Sequence, residues 1–192
     1  MSYKKLILLI TFFISISGCA STPCATGCVS EYTSTFDGTE ELSMSPSYVY
    51  RSNKGVSGSD MRIGLYWSSS LPDDNIVLIV LPHKDKPVST GTTINFNVSG
   101  KFDSFTSVTK DQIANLNPST EAKTYFHPNV IKQMNVLYYV VEKDFIREIL
   151  SAQDVRIRID LENSYLEGVF SYNGRIGAKQ DFINYMSRLK SI

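Results

Sequence analysis

The chain is poor in the side chains that most often carry out enzyme chemistry. Among its 192 residues are only 2 histidines, 3 cysteines and 1 tryptophan. It has no His-Glu-x-x-His zinc helix, no Gly-x-Ser-x-Gly nucleophile elbow and no glycine-rich phosphate loop. These absences exclude the most recognisable metalloprotease, serine-hydrolase and nucleotide-binding patterns. They lead us to assign no catalytic residue, no cofactor and no metal site.

An excess of charge of either sign is also lacking. The 19 basic and 19 acidic side chains give a formal net charge of 0. Such a chain has no strong field with which to recruit nucleic acid, so we expect no nucleic-acid partner. The composition is nevertheless 42% hydrophobic, which is typical of a folded domain rather than a disordered chain.

The apolar run near the N-terminus is too short to be a permanent membrane span. Leu6–Ile16 covers about eleven residues and follows Lys4 and Lys5. A spanning helix needs about 20 apolar residues, whereas the apolar part of a signal peptide takes about 7–15. The sequence therefore predicts a signal peptide over residues 1–18. Its removal would take away both lysines and change the formal net charge from 0 to −2.

The end of this run, Ile16-Ser17-Gly18-Cys19, resembles the lipobox of bacterial lipoproteins. The resemblance implies cleavage before Cys19, a diacylglycerol thioether on its sulfur and, in some members, acylation of its amine. Two or three acyl chains hold a protein stably on a membrane, whereas one does so only marginally. Since Ala20 is not acidic, the resemblance further implies the periplasmic face of the outer membrane of a Gram-negative bacterium. The alternative is an ordinary signal peptide with a chance cysteine.

The two remaining cysteines, Cys24 and Cys28, lie close together in the sequence. An oxidising compartment permits a disulfide between them, and Gly27 would allow the tight turn that so short a loop needs. Free or intermolecular thiols are the alternative. A metal site is disfavoured because no histidine or second cysteine pair lies nearby.

Residues 19–35 are rich in serine, threonine and small side chains and lack hydrophobic periodicity. This composition predicts a lipidated N-terminus and a flexible tether. The remaining residues, 36–192, fit a single β-rich globular domain, because domains commonly run to about 100–200 residues.

Strand patterns dominate the predicted domain. Ile76–Leu81 and Val136–Val141 are continuously apolar, which favours strands covered on both faces. Asn163-Ser164 predicts a hairpin into Tyr165–Ser171. Elsewhere apolar and polar residues alternate, as expected of strands with one buried face: Met61–Trp67, Thr93–Val98 and Val155–Leu161.

Helical patterns are fewer. Asp144 is a candidate N-cap for a helix that runs to Ser151, and an apolar stripe predicts a C-terminal helix over Ala178–Lys190. A third, short helix is expected after His127, with Pro128 at its first position. The predicted fold class is α+β, a mainly antiparallel β-sheet or β-sandwich with two or three short helices, including the C-terminal one.

The best candidate contacts are Arg156 and Arg158, which alternation places on one face of a strand. With Lys143 or Arg147 from the preceding helix they would form a basic cluster, and arginine forks suit carboxylates and phosphates. We therefore predict an anion or partner contact there. The alternative is an exposed face with weak cross-strand ion pairs.

The stretches FDGTEELSM, MRIGLYW and VRIRIDLENSYLEGVFS also loosely resemble uncharacterised bacterial lipoproteins, a likeness that implies no functional residue. The sequence thus favours a membrane-anchored envelope lipoprotein, a non-catalytic binding or assembly module with a protein or glycan partner. The alternative is a small periplasmic hydrolase whose site, assembled from distant loops, would use His83 or His127.

Overall fold

The computed structural model describes residues 26–51, 61–82, 88–116, 136–162, 164–171 and 177–190. These residues form strands and helices in an α+β arrangement, as the sequence predicts. The strands are β1 (Val29–Thr33), β2 (Glu40–Arg51), β3 (Met61–Ser68), β4 (Asn75–Pro82), β5 (Thr93–Val98), β6 (Lys101–Thr106), β7 (Leu137–Glu142), β8 (Val155–Asp160) and β9 (Tyr165–Ser171). The helices are α1 (Lys110–Ala114), α2 (Lys143–Ser151) and α3 (Gly177–Leu189).

All nine strands belong to one antiparallel sheet. Its order is β6-β5-β8-β9-β2-β3-β4-β7, with β1 paired to β2 outside that path. The long strand β2 joins the two halves, because its first part pairs with β1 and β3 and its end pairs with β9. The predicted pairing of β8 with β9 is present, and Asn163 in the connection between them lies outside the described residues.

A bulge interrupts β2 before the residues that pair with β9. Its register with β3 shifts between Met44 and Ser47, and such irregularities bend and twist a strand. Gly64 of β3 lies against this point, since a Cβ atom there would stand 2.6 Å from the carbonyl oxygen of Met44. Only glycine allows the two backbones to approach so closely.

The two ends of the sheet meet at a single bridge. Val108, just after β6, pairs with Tyr138 of β7, and the Val108 N–H donates to the Tyr138 carbonyl oxygen at 2.8 Å. The sheet therefore nearly closes on itself. It has a concave inner face and a convex outer face.

The inner face holds the main hydrophobic core, which α2 and α3 complete. Phe182 of α3 meets Phe170 of β9 with ring centroids 5.1 Å apart, and Phe145 of α2 meets Phe96 of β5 at 5.0 Å. Burying a side chain of this size contributes about 1.5–3 kcal/mol. The other helical residues of this core are Ile146, Ile149, Ala178, Tyr185 and Met186.

A smaller core covers the outer side of β3, β4 and β7. Val77, Ile79 and Leu81 point into it and meet Ile113 of α1. The apolar run Ile76–Leu81 is therefore buried on both faces, which confirms that prediction. Helix α1, which the sequence analysis missed, begins with a capping box between Thr109 and Gln112.

The folded domain begins earlier than predicted. Strand β1 lies inside the segment assigned to the tether and pairs with β2 along its whole length. The Gly27 N–H donates to the Ser45 carbonyl oxygen at 3.0 Å, and the Ser45 N–H donates to the Cys28 carbonyl oxygen at 2.9 Å. The boundary at residue 35 is therefore wrong for residues 26–35. Residues 19–25 lie outside the described part of the chain.

One helix boundary also differs from its prediction. The N-cap of α2 is Glu142, and Asp144 lies in the first turn, where it pairs with Arg147. An acidic side chain is favourable there because the helix dipole is positive at this end. The short helix expected after His127 lies outside the described residues.

Candidate binding surface

Several of the predicted site residues lie outside the described ranges. These are Cys19, Cys24, His83 and His127. Cys28 is described and is disulfide-bonded, and its bonding partner lies outside the described residues. The Cys28 N–H donates to the Ser45 hydroxyl at 2.9 Å, so the backbone of this cysteine is hydrogen-bonded to β2.

Neither a metal-ligand cluster nor a membrane-spanning helix is found among the described residues. No group of three or more histidine, cysteine, aspartate or glutamate side chains within the described ranges is arranged to hold a metal ion. None of the helices in the described part of the chain has the length and apolarity to cross a membrane.

Arg156 and Arg158 lie on the outer face of β8, as their alternation predicts. The Nε atom of Arg156 is 3.4 Å from Asp154 Oδ1, and that of Arg158 is 2.7 Å from Asp160 Oδ1. Each arginine therefore has an acidic partner two residues away on its own chain segment.

The expected cluster with the cations of α2 does not form. Helix α2 packs on the inner side of the sheet, opposite Arg156 and Arg158. Lys143 Nζ instead lies 5.2 Å from the ring centroid of Trp67, which is partly buried at the margin of the core. Arg147 pairs with Asp144 within the helix. That part of the prediction is wrong, because the helix folds over the opposite face of the sheet.

Arg158 is oriented by a chain of contacts that crosses four strands. Asp160, its partner, accepts a second hydrogen bond through Oδ2 from Asn95 Nδ2 at 2.7 Å. Asn95 Oδ1 in turn accepts from the Ser104 hydroxyl at 2.5 Å. On the other side, the guanidinium carbon of Arg158 lies 4.4 Å from the centroid of the Tyr165 ring. Side chains of β6, β5, β8 and β9 thus hold one guanidinium group in place.

The terminal edge of that guanidinium group takes no part in these hydrogen bonds. The Arg158 side chain is 53% exposed. Its Nη1 and Nη2 atoms make no hydrogen bond with the residues that the structure describes. An arginine carries five N–H donors in a planar fork, so four of these donors are left without a hydrogen-bond partner among the described residues.

Exposed aromatic side chains lie on the same face of the sheet as Arg158, and one of them, Tyr165, contacts it directly. Phe102 lies in the row of Arg156, the other arginine of this face. Register places Phe102, Asn97, Arg156, Val169 and Tyr50 in one row across five strands. Phe102 is 73% exposed. We use the term outer sheet face for the outward-pointing residues Tyr48, Tyr50, Asn95, Asn97, Phe102, Ser104, Arg156, Arg158, Asp160, Tyr165 and Glu167.

The outer sheet face concentrates exposed aromatic groups. Eight large hydrophobic side chains are exposed within the described residues, and four of them belong to this face. These four are Tyr48, Tyr50, Phe102 and Tyr165. The sequence analysis missed Phe102 and Tyr165 as contact candidates, although the period-two pattern of β6 and the register of the β8–β9 hairpin carried the signal.

A second polar cluster lies on the outer side of β2 and β3. The Tyr66 hydroxyl donates to Glu41 Oε1 at 2.9 Å, and the hydroxyls of Ser68 and Ser70 are 2.9 Å apart. Burial raises the pKa of Glu41, although the Tyr66 hydrogen bond opposes that effect. Burial and the nearby Glu41 carboxylate raise the pKa of Tyr66. The pair is satisfied internally, so its evident role is structural.

Comparison with protein-family models, with characterised proteins and with solved structures finds no match to this chain.

Proposed function

We propose that this chain is a lipoprotein of the bacterial cell envelope, anchored through Cys19 to the periplasmic face of the outer membrane. Its folded domain is a non-catalytic binding module that takes a protein partner. The anchor is supported by the order of the first residues: a basic pair, a short apolar run and a lipobox-like end.

The cysteine chemistry is consistent with that location. Disulfides persist in oxidising compartments such as the periplasm, and Cys28 is disulfide-bonded. The chain has 3 cysteines. If Cys19 carries lipid, Cys24 is the partner that remains for Cys28. The lipid anchor and the predicted Cys24–Cys28 disulfide therefore support each other.

The anchor would hold the domain close to the membrane. Ordered structure that packs against β2 begins by Gly27 and Cys28. The nine residue steps from Cys19 to Cys28 span at most about 30 Å when fully extended. A partner must therefore lie near the bilayer surface, which favours another envelope component.

The observation that carries the binding function is the outer sheet face. It combines exposed tyrosine and phenylalanine rings with arginines. Tyrosine, phenylalanine and arginine are enriched in protein interfaces, where lysine is depleted. The outer sheet face contains no lysine among its defined members. Small ligands, by contrast, prefer concave sites, and this face is convex.

The anchor is tested by metabolic labelling with an alkyne fatty acid. We expect label on the unaltered chain and on Cys24→Ser, but none on Cys19→Ser, because only Cys19 follows the lipobox. Equal labelling of Cys19→Ser and the unaltered chain would contradict the anchor.

The binding function is tested by photo-cross-linking in intact cells. A photoreactive phenylalanine analogue replaces Phe102 on the outer sheet face or, as the matched control, Phe36, which is 97% exposed in the turn before β2. We expect a discrete cross-linked species from position 102 and none from position 36. Cross-links of equal yield from both positions, or from neither, would contradict a binding role for this face.

A further inference from the structure

We propose that Arg158 is the centre of a carboxylate-binding site on the outer sheet face, which receives an acidic side chain or a chain terminus of a partner protein. This inference rests on the proposed binding function and adds the chemistry of recognition to it. The site consists of the Nη1 and Nη2 edge of the Arg158 guanidinium group and the ring of Tyr165 beside it. Phe102 lies farther along the same face, in the row of Arg156.

The geometry of Arg158 leaves the edge that recognises carboxylates accessible. Its Nε–H donates to Asp160 Oδ1, and its guanidinium carbon lies over the Tyr165 ring. The Nη1 and Nη2 edge is unoccupied within the described residues. A carboxylate binds arginine through two parallel N–H···O hydrogen bonds, and the planar fork provides that spacing where a lysine ammonium group does not.

The fork is also held in position before a ligand arrives. Asp160 is itself fixed by Asn95, and Asn95 by Ser104, so the orienting carboxylate cannot turn freely. A long arginine side chain usually loses rotamer freedom on binding, and that loss opposes association. Here part of the loss has already occurred on folding, which favours binding through this arginine over binding through an arginine with free rotamers.

Local charge favours a carboxylate over a more highly charged anion. Asp160 lies 2.7 Å from Arg158, and Glu167 faces Arg158 in the register of β8 and β9. These acidic groups offset the positive potential around the fork, so repulsion grows with the charge of the ligand. A singly charged carboxylate keeps the paired hydrogen bonds and meets the least repulsion.

A protein is the occupant that the surroundings favour. The Tyr165 ring is exposed beside the fork, and the Phe102 ring is exposed farther along the same convex surface. A surface of this shape has no cleft in which to enclose a sugar or another small ligand. Apolar contact around a buried charged anchor is instead the arrangement found at the energetic centre of protein interfaces.

The test uses the full chain in detergent and two defined probes. One probe is the singly charged peptide N-acetyl-Ala-Glu-Ala amide, and the neutral control is the corresponding glutamine peptide. Binding is followed by the backbone ¹H–¹⁵N resonances of β8 and β9, which every variant retains, and in the unaltered chain also by the Arg158 Nε–H. We expect a saturable shift with the glutamate peptide and none with the glutamine peptide.

The matched variants are Arg158→Lys and Arg147→Lys. Both arginines pair with an aspartate, and their side chains are 53% and 52% exposed. Arg147 lies on α2, away from the outer sheet face. We expect Arg158→Lys to weaken glutamate-peptide binding about tenfold, because the charge remains while the fork is lost. We expect Arg147→Lys to bind as the unaltered chain does. Tyr165→Ala, which removes the stacked ring, should weaken binding several-fold.

Three results would overturn the inference. The first is equal binding by Arg158→Lys and the unaltered chain, and the second is an equal response to the two peptides. The third is a non-saturating shift shared by all arginine Nε–H resonances, which would indicate charge attraction without a site. If position 102 cross-links a partner but these tests fail, the carboxylate site is refuted and the proposed binding function stands. If position 102 gives no cross-link, the proposed binding function itself is refuted.

Discussion

The two faces of the same sheet differ in the side chains that they carry and in what those side chains contribute to stability. On the inner face, β8 contributes Val155, Ile157 and Ile159, which are all fully buried. On the outer face, the same strand contributes Arg156 and Arg158, which are partly exposed and ion-paired. The inner face stabilises the domain through apolar burial. The outer face adds little stability, since exposed ion pairs contribute about 0–1 kcal/mol, and recognition is the role we propose for it.

The largest effect is expected at Phe182, which belongs to the inner core. It is fully buried on α3 and packs against Phe170. Phe182→Ala should lower the free energy of unfolding by about 3–5 kcal/mol, because it removes apolar contacts and leaves a cavity. Urea unfolding followed by circular dichroism measures this change.

The neighbouring residue Ile183 is the matched control for that experiment. It lies on the same helix but is 40% exposed. Ile183→Ala should change the free energy of unfolding by about 0.5 kcal/mol or less, as surface substitutions usually do. Equal losses from Phe182→Ala and Ile183→Ala would mean that the faces of α3 are assigned wrongly.

A smaller loss is expected at Gly64, where β3 meets the bulge in β2. An added Cβ would stand 2.6 Å from the Met44 carbonyl oxygen, and backbone atoms cannot turn aside as a side chain can. Gly64→Ala should therefore cost about 1–3 kcal/mol through overpacking. At Gly168, the nearest atom to an added Cβ belongs to the Val49 side chain, so Gly168→Ala should cost less. A thermal melt in which Gly168→Ala loses as much as Gly64→Ala would contradict the close approach of the two backbones.

A modest pH effect is expected at Glu41, on the outer side of β2. Burial raises its pKa in the folded state, so its contribution to stability is present below the unfolded pKa and is lost as the pH rises through the folded pKa. Glu41→Gln removes the ionisation and should flatten the decline in unfolding free energy above about pH 4.5, while its amide oxygen still accepts from Tyr66. Urea unfolding between pH 4 and 7 is the measurement. Glu40→Gln, at an exposed neighbouring position, is the control and should not reproduce the flattening.

The inner face could be predicted from the sequence because its signals are local. The alternation of Ile157 and Ile159 indicates a buried strand face from residues that are close in the sequence. The continuous run Ile76–Leu81 does the same for a strand that is buried on both faces. The C-terminal helix follows from the same logic, since Phe182 and Met186 recur at helical spacing. Burial of apolar groups is the main favourable term in folding, so a local apolar pattern predicts the core well.

The outer face could be predicted only in part because its contacts join distant segments. Alternation places Arg158 outward, but the hydrogen bond between Asn95 and Asp160 joins residues 65 positions apart. Its formation depends on the pairing of β5 with β8, which no local pattern specifies. Strand β1 was missed for a related reason: its polar sequence VSEYT becomes a strand through pairing with β2 rather than through an apolar pattern.

The most direct test compares partner binding with stability when the outer sheet face is altered. The double variant Phe102→Ser and Tyr165→Ser removes two exposed rings without touching the inner core. With a photoreactive residue at Tyr50 on the same face, the cross-linked species should disappear, while the free energy of unfolding changes by about 1 kcal/mol or less. Retention of the cross-linked species in the stably folded double variant would contradict the claim that this face is the binding surface, and unfolding of the variant would show that these rings belong to the core.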